Sequence, residues 1–186
     1  FVLQKLLTSD ITSNPEELKA ILVSINNLLI EKGIAEPGLS SMATTLTGVL
    51  VGEESHLVIH VGNTRAYVQQ GRYLKQVTQD HTTFNWLQKT GRYEEAELCN
   101  KSEITNCFGG GTPSLLSKLY VASLSNFACM LLTSDGVHEY VDIDLLEDIL
   151  NTDSSGEDKC NSIIDAALAA GSEDDMTVIL ICMNED

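Results

Sequence analysis

Two aspartates stand where apolar, strand-like runs meet loops. Asp135 closes Met130-Leu131-Leu132-Thr133-Ser134 and is followed by Gly136. Asp174 lies in Gly171-Ser172-Glu173-Asp174-Asp175-Met176-Thr177, just before Val178-Ile179-Leu180-Ile181. Carboxylates are the oxygen donors that hard divalent cations take, and magnesium or manganese keeps several waters, so few protein ligands are needed. Two such ions a few ångströms apart can share a water, acidify it and aim it at a phosphoester. That chemistry needs at least one more carboxylate from another strand. Gly136 allows a sharp turn and leaves room for an ion and its waters. The competing reading is plain turn chemistry, since Asp-Gly is a common turn and Asp174-Asp175 can cap a loop.

Other marked residues carry less. Gly62-Asn63-Thr64-Arg65 lies between two apolar runs. It reads either as a tight hairpin, with Arg65 reaching toward the acidic surface, or as a turn placing Asn63 near a metal or Arg65 near phosphate; for Arg65 the hairpin reading is preferred. Asp80-His81 reads as a structural hydrogen bond between its loop and the core rather than as an acid–base pair. His56, His60 and His138 show no ligand spacing, and His60 reads as packed or edge-exposed. Gly109-Gly110-Gly111 lacks the Lys-Ser/Thr of a phosphate loop and reads as a flexible connection. There is no Gly-x-Ser-x-Gly elbow and no cysteine in an arginine-rich loop, so neither a serine nor a cysteine nucleophile is supported.

The elements that must position these residues follow from periodicity. Phe1 to Leu7 has helical apolar spacing. Asn14 caps a second helix with Pro15 in its first turn and Glu17 at the capping-box position. Leu18, Ile21, Leu22, Ile25, Leu28 and Leu29 form its stripe, and Gly33 is expected to stop it. Strands are expected over residues 44–52, 56–61, 65–70 and 73–77, as an antiparallel meander. Residues 82–98 read as a short helix and an acidic connection, and 128–133 as a central strand. Helices over 142–150 and 157–170, the second closed by Gly171, precede a last strand over 176–183. Hairpins with helical stripes give a mixed α+β class in which helices cover antiparallel sheets.

The chain of 186 residues is long enough for one domain with a real core. A net charge of -16 argues against nucleic acid or an anionic membrane as partner. No apolar stretch approaches the roughly 18 residues of a membrane span, and no signal peptide is visible. The five cysteines, 99, 107, 129, 160 and 182, have no zinc spacing and read as reduced core thiols of a cytoplasmic or otherwise intracellular protein.

In order along the chain, these motifs resemble the metal-dependent PPM/PP2C-type serine/threonine protein phosphatases. Met42-Ala43-Thr44-Thr45 resembles the family's Gly-x-Thr-Thr strand start, Gly62-Asn63-Thr64-Arg65 its Gly-Asp-Ser-Arg, and Thr78-Gln79-Asp80-His81 its Thr-x-Asp-His. Asn106-Cys107-Phe108-Gly109 resembles Arg-Ala-Leu-Gly, Ser134-Asp135-Gly136 matches Ser-Asp-Gly, and Asp174-Asp175-Met176-Thr177 resembles Asp-Asn-x-Thr. The resemblance covers residues 40–183.

It implies a four-layer α-β-β-α sandwich with two central antiparallel sheets, the chain 1–186 forming the C-terminal three-quarters of one domain. It implies a hydrolase in which a water bridging two Mn2+ or Mg2+ ions attacks phosphoserine or phosphothreonine, with no phosphoenzyme. Asp135 and Asp174 would be metal ligands that position that water, Gly136 would shape the site, and Asp175 would support the ligand loop. Asn63 replaces the aspartate of a third, weaker metal site. The expected partner is a phosphoprotein substrate and the expected state a monomer. Nothing before Met42 matches the family's phosphate-binding arginine or its Asp-Gly-x-Gly-Gly segment, whose aspartate bridges the ions. The chain is therefore expected to be N-terminally incomplete. The alternatives are strands supplied by another polypeptide, or an impaired pseudophosphatase acting as a binding or regulatory module.

Overall fold

The computed structural model describes residues 2–7, 14–52, 55–125 and 127–183; Phe1, which the sequence places in the first helix, lies outside them. In chain order the elements are α1 (Val2–Leu7), α2 (Pro15–Ala35), β1 (Ala43–Thr44), β2 (Leu46–Leu50), β3 (His56–Val61), β4 (Arg65–Gln70), β5 (Tyr73–Gln76), α3 (Thr83–Lys89), α4 (Tyr93–Leu98), β6 (Phe108–Gly109), a 3-10 turn (Pro113–Leu116), β7 (Tyr120–Leu124), β8 (Cys129–Thr133), α5 (Asp135–His138), α6 (Ile143–Leu150), α7 (Gly156–Ala169) and β9 (Val178–Cys182). They form two compact units, Phe1–Asn63 with Asp80–Asn126, and Thr64–Gln79 with Phe127–Asp186. The class is α+β with antiparallel sheets, as expected.

In the first unit the sheet runs β2-β3-β7, all antiparallel. Leu18, Leu22, Ile25 and Leu29 of α2 bury against Leu57, Ile59 and Val61 of β3, with Phe108 and Val121. The 3.6-residue stripe of the helix thus meets the period-2 face of a strand. Asn14 caps α2 by accepting from the Glu16 N–H at 2.9 Å. Gly33 does not stop the helix, which runs two residues further. A Cβ there would lie 2.6 Å from the Leu39 carbonyl oxygen, so the glycine serves the close return of the chain. Leu28, placed in the stripe by its spacing, is exposed.

In the second unit the order is β5-β4-β8-β9, again antiparallel. Here α6 and α7 cover one face, Leu146, Leu150, Ile163 and Ala167 packing with Tyr67, Leu74 and Leu131. The helix starts are capped by side chains, Asp142 accepting from the Leu145 N–H and Ser155 from the Asp158 N–H.

Several expectations change. The strands at 56–61 and 65–70 do not pair; β3 lies between β2 and β7, and β4 between β5 and β8. Gly62-Asn63 is therefore a passage from one sheet to another, not a hairpin. Residues 82–98 hold two helices. The three glycines at 109–111 all have positive φ, and a Cβ at Gly109 would lie 2.2 Å from the Met42 carbonyl oxygen. That segment is closely fitted rather than a loose connection. Cys129 and Cys182, read as reduced core thiols, are directly opposed on β8 and β9 and joined as a disulfide. Cys182 is exposed at the sheet edge, while Cys99, Cys107 and Cys160 are free thiols. No helix among the described residues is long and apolar enough to cross a membrane.

Candidate metal centre

Antiparallel pairing brings the two opening aspartates to the same end of one strand pair. Thr133 of β8 is opposite Val178 of β9, so the chain leaving β8 through Asp135 and the chain entering β9 from Asp174 are adjacent. Asp135 is half-buried at the start of α5, and Asp174 is exposed. The Asp135 Oδ1 accepts from the Gly136 N–H at 3.1 Å, and the Asp174 Oδ1 from the Asp175 N–H at 2.8 Å.

The loops approach closely because residue 136 has no side chain. A Cβ on Gly136 would lie 2.7 Å from the Asp175 carbonyl oxygen and 3.2 Å from the Asp174 Cβ. Gly136 does not have a positive φ, so its purpose here is space, not the unusual backbone that the sequence suggests.

Two serines to which the sequence motifs assign no role tie the loops together. The Ser134 hydroxyl accepts from the Thr177 N–H at 2.9 Å and donates to the Asp175 carbonyl at 3.2 Å, while the Ser134 N–H donates to the Thr177 carbonyl at 3.1 Å. The buried Ser172 hydroxyl donates to the Gly136 carbonyl at 2.7 Å. Their signal in the sequence is position alone: each stands one or two residues before a candidate ligand.

Asn63 belongs to the first unit and is buried, only 4% exposed. Its turn is held from behind. Gly62 has φ +110°, and a Cβ there would meet the Thr45 side chain at 2.3 Å. The motif segments around residues 45 and 62 therefore interlock. The Gly62 N–H donates to His81 Nδ1 at 3.1 Å, and the His81 N–H donates back to the Gly62 carbonyl at 2.7 Å. Asn106 adds a second N–H donor to His81 Nδ1 at 3.0 Å and grips Lys118 through both its amide atoms. The expected structural role of Asp80-His81 is thus realised in the histidine. Burial, then the charges of His60 and Lys118, push the His81 pKa down from 6.5 to about 4, against the opposing pull of Asp80. His60 is fully buried, its ring 4.8 Å from that of His81 and its Nδ1 paired with the Thr47 hydroxyl. Arg65 reaches the Tyr67 hydroxyl at 3.4 Å. Near the second unit's aspartates, His138 Nδ1 pairs with the Thr133 hydroxyl at 2.9 Å.

The donor set is a partial fit to a metal. Asp135 and Asp174 offer hard oxygen donors on neighbouring, clamped loops, which suits magnesium or manganese. Among the described residues, however, no group of three or more His, Cys, Asp or Glu gathers to hold an ion. A binuclear centre would need further donors.

No protein-family model matches the chain. The serine/threonine phosphatase Stp of Listeria welshimeri is 27% identical over 169 residues, covering 90% of this chain and 67% of the relative. The chain thus spans about two thirds of that curated protein. The crystal structure of the serine/threonine phosphatase Stp1 from Staphylococcus aureus shares the fold over 100% of this chain and 76% of its own, with a TM-score of 0.85 and 27% identity. The catalytic domain of the phosphatase PstP, crystallised in complex with two manganese ions, has a TM-score of 0.79 and 25% identity over 96% of this chain and 76% of its own.

Proposed function

We propose, for a chain that belongs to the PPM/PP2C-type family of serine/threonine phosphatases, the metal-dependent hydrolysis of phosphoserine and phosphothreonine in protein substrates. The observation that carries the reading is the approach of the Asp135 and Asp174 loops across Gly136. Asp135 and Asp174 would hold Mn2+ or Mg2+, in line with the manganese of the PstP structure. A bound divalent ion supplies a Lewis acid that brings the pKa of water toward neutrality. The chain's own part is to hold the two carboxylates in register and to keep them from spreading apart under their mutual repulsion. Ser134 and Gly136 serve that purpose through the contacts described above.

The pseudophosphatase reading is favoured by one observation: among the described residues no group of three or more His, Cys, Asp or Glu is arranged to hold an ion. Manganese-dependent turnover of phosphoserine and phosphothreonine peptides separates the two. The enzyme reading expects turnover that Asp135→Asn and Asp174→Asn each lower at least tenfold, with weaker manganese binding. Manganese binding without turnover would favour the regulatory module. Unchanged manganese dependence in both variants would remove the aspartates from the site.

A further inference from the structure

We propose that Ser172 is a positioning residue for this centre, tying the loop of Asp174 to the loop of Asp135 and so setting how far apart the two carboxylates are held. The inference rests on the metal-dependent reading above and concerns side chains that touch no ion.

Ser172 is itself fixed by the end of α7. Gly171 takes φ +90°, and the Ser172 N–H donates to the Ala167 carbonyl at 3.0 Å, closing the helix. From that anchored backbone the hydroxyl of Ser172, a residue only 6% exposed, donates to the Gly136 carbonyl at 2.7 Å. One short hydrogen bond thus spans a sequence separation of 36. At one end it holds the residue directly after Asp135, and at the other it starts two residues before Asp174.

Ser134 makes the opposing tie. Its hydroxyl bonds Asp175 and Thr177, on the far side of Asp174 from Ser172. The segment carrying Asp174 is therefore pinned before and after the carboxylate, to the helix end on one side and to the end of β8 on the other. Gly136 lets the pinned segment close to contact. Two like-charged carboxylates on adjacent loops repel one another, and without a fixed spacing each loop would relax outward. Partners that orient ligands from outside the coordination shell are worth 10–100-fold in metal affinity, and a hydroxyl donating to backbone beside each ligand is such a partner.

The test is manganese binding by titration calorimetry on wild type, Ser172→Ala, Ser172→Thr and Asp174→Asn, with the melting temperature of each metal-free protein. Ser172→Ala is expected to bind manganese about tenfold more weakly than wild type. Ser172→Thr, which keeps the hydroxyl, should return the affinity to within about threefold. A lowered melting temperature with unchanged manganese affinity means a merely structural serine and overturns the proposal. So does a threonine variant as weak as the alanine one. If Ser172→Ala does not fold, Ser134→Ala is read in its place, since it cuts the opposing tie at a less buried position. A wild-type protein that binds no manganese, or an Asp174→Asn variant that binds as well as wild type, defeats the metal-dependent reading. Normal binding that is indifferent to the serine defeats only this inference.

Discussion

Gly62 and His81 are bonded to each other twice, the Gly62 N–H donating to His81 Nδ1 at 3.1 Å and the His81 N–H donating to the Gly62 carbonyl at 2.7 Å. With Asn106 also donating to Nδ1, that nitrogen must be unprotonated. A proton there would face two N–H donors.

The consequence is a stability that depends on pH. His81 has its folded pKa lowered from 6.5 to about 4, chiefly by burial. Between those values the unfolded chain binds more protons than the folded one, so stability rises with pH. This contribution is complete above pH 6.5 and declines as pH falls toward 4. Urea unfolding midpoints should drop over that interval, and His81→Gln, which cannot titrate, should flatten the drop. An equal slope in the variant would show that other groups cause it.

Gly136 and Gly48 offer a paired comparison. Neither has a positive φ, but a Cβ at Gly48 meets nothing within 4 Å, whereas at Gly136 it would lie 2.7 Å from the Asp175 carbonyl. Gly48→Ala, within a strand, should be neutral or stabilise by about 0.5–1 kcal/mol. Gly136→Ala must push the loops apart and should destabilise by about 1–3 kcal/mol. Equal effects in thermal unfolding would mean that the loop at 136 yields without cost.

Asn26 is a buried amide on the apolar face of α2, 1% exposed, and its Oδ1 accepts from the Gly109 N–H at 2.7 Å. Asn26→Leu matches the apolar stripe but strands that backbone donor. The expected loss is about 1–3 kcal/mol of unfolding free energy, despite a more hydrophobic helix. A stabilised variant would show that the donor finds another acceptor.

Much of this architecture is legible in the sequence because it is written in short-range patterns. The runs 56–61 and 65–70 are bounded by turn residues and match β3 and β4. Asp135 and Asp174 could be suspected as neighbours because both stand at strand ends. Pairing partners are another matter. Alternation marks β3 and β4 as strands but does not say that the chain changes sheet between them. Glycine is ambiguous in the same way, since Gly33 looks like a helix stop and Gly136 like a turn, while both serve close approach. No periodicity marks Ser134 or Ser172 as ties between loops, and their bonds span 41 to 43 and 36 residues. Cys129 and Cys182 become a pair only once the register of β8 and β9 is known.

That last pair makes the most direct prediction about stability. Cys129 and Cys182 are opposed across β8 and β9 and joined over a separation of 53 residues. Among the described residues β9 is an edge strand that pairs only with β8, and its five residues are all at least partly exposed. A cross-link over such a separation removes unfolded-state entropy worth about 4 kcal/mol in the chain-entropy account. A dithiol reductant should therefore shift the urea midpoint downward, by up to that much free energy. Replacing both cysteines by serine should give the reduced midpoint and abolish the response to reductant. Thiol labelling of the unfolded protein should count three reactive cysteines before reduction and five after, since Cys99, Cys107 and Cys160 are free. Five before reduction, with a midpoint indifferent to reductant, would show that the strands hold together in solution without the bond.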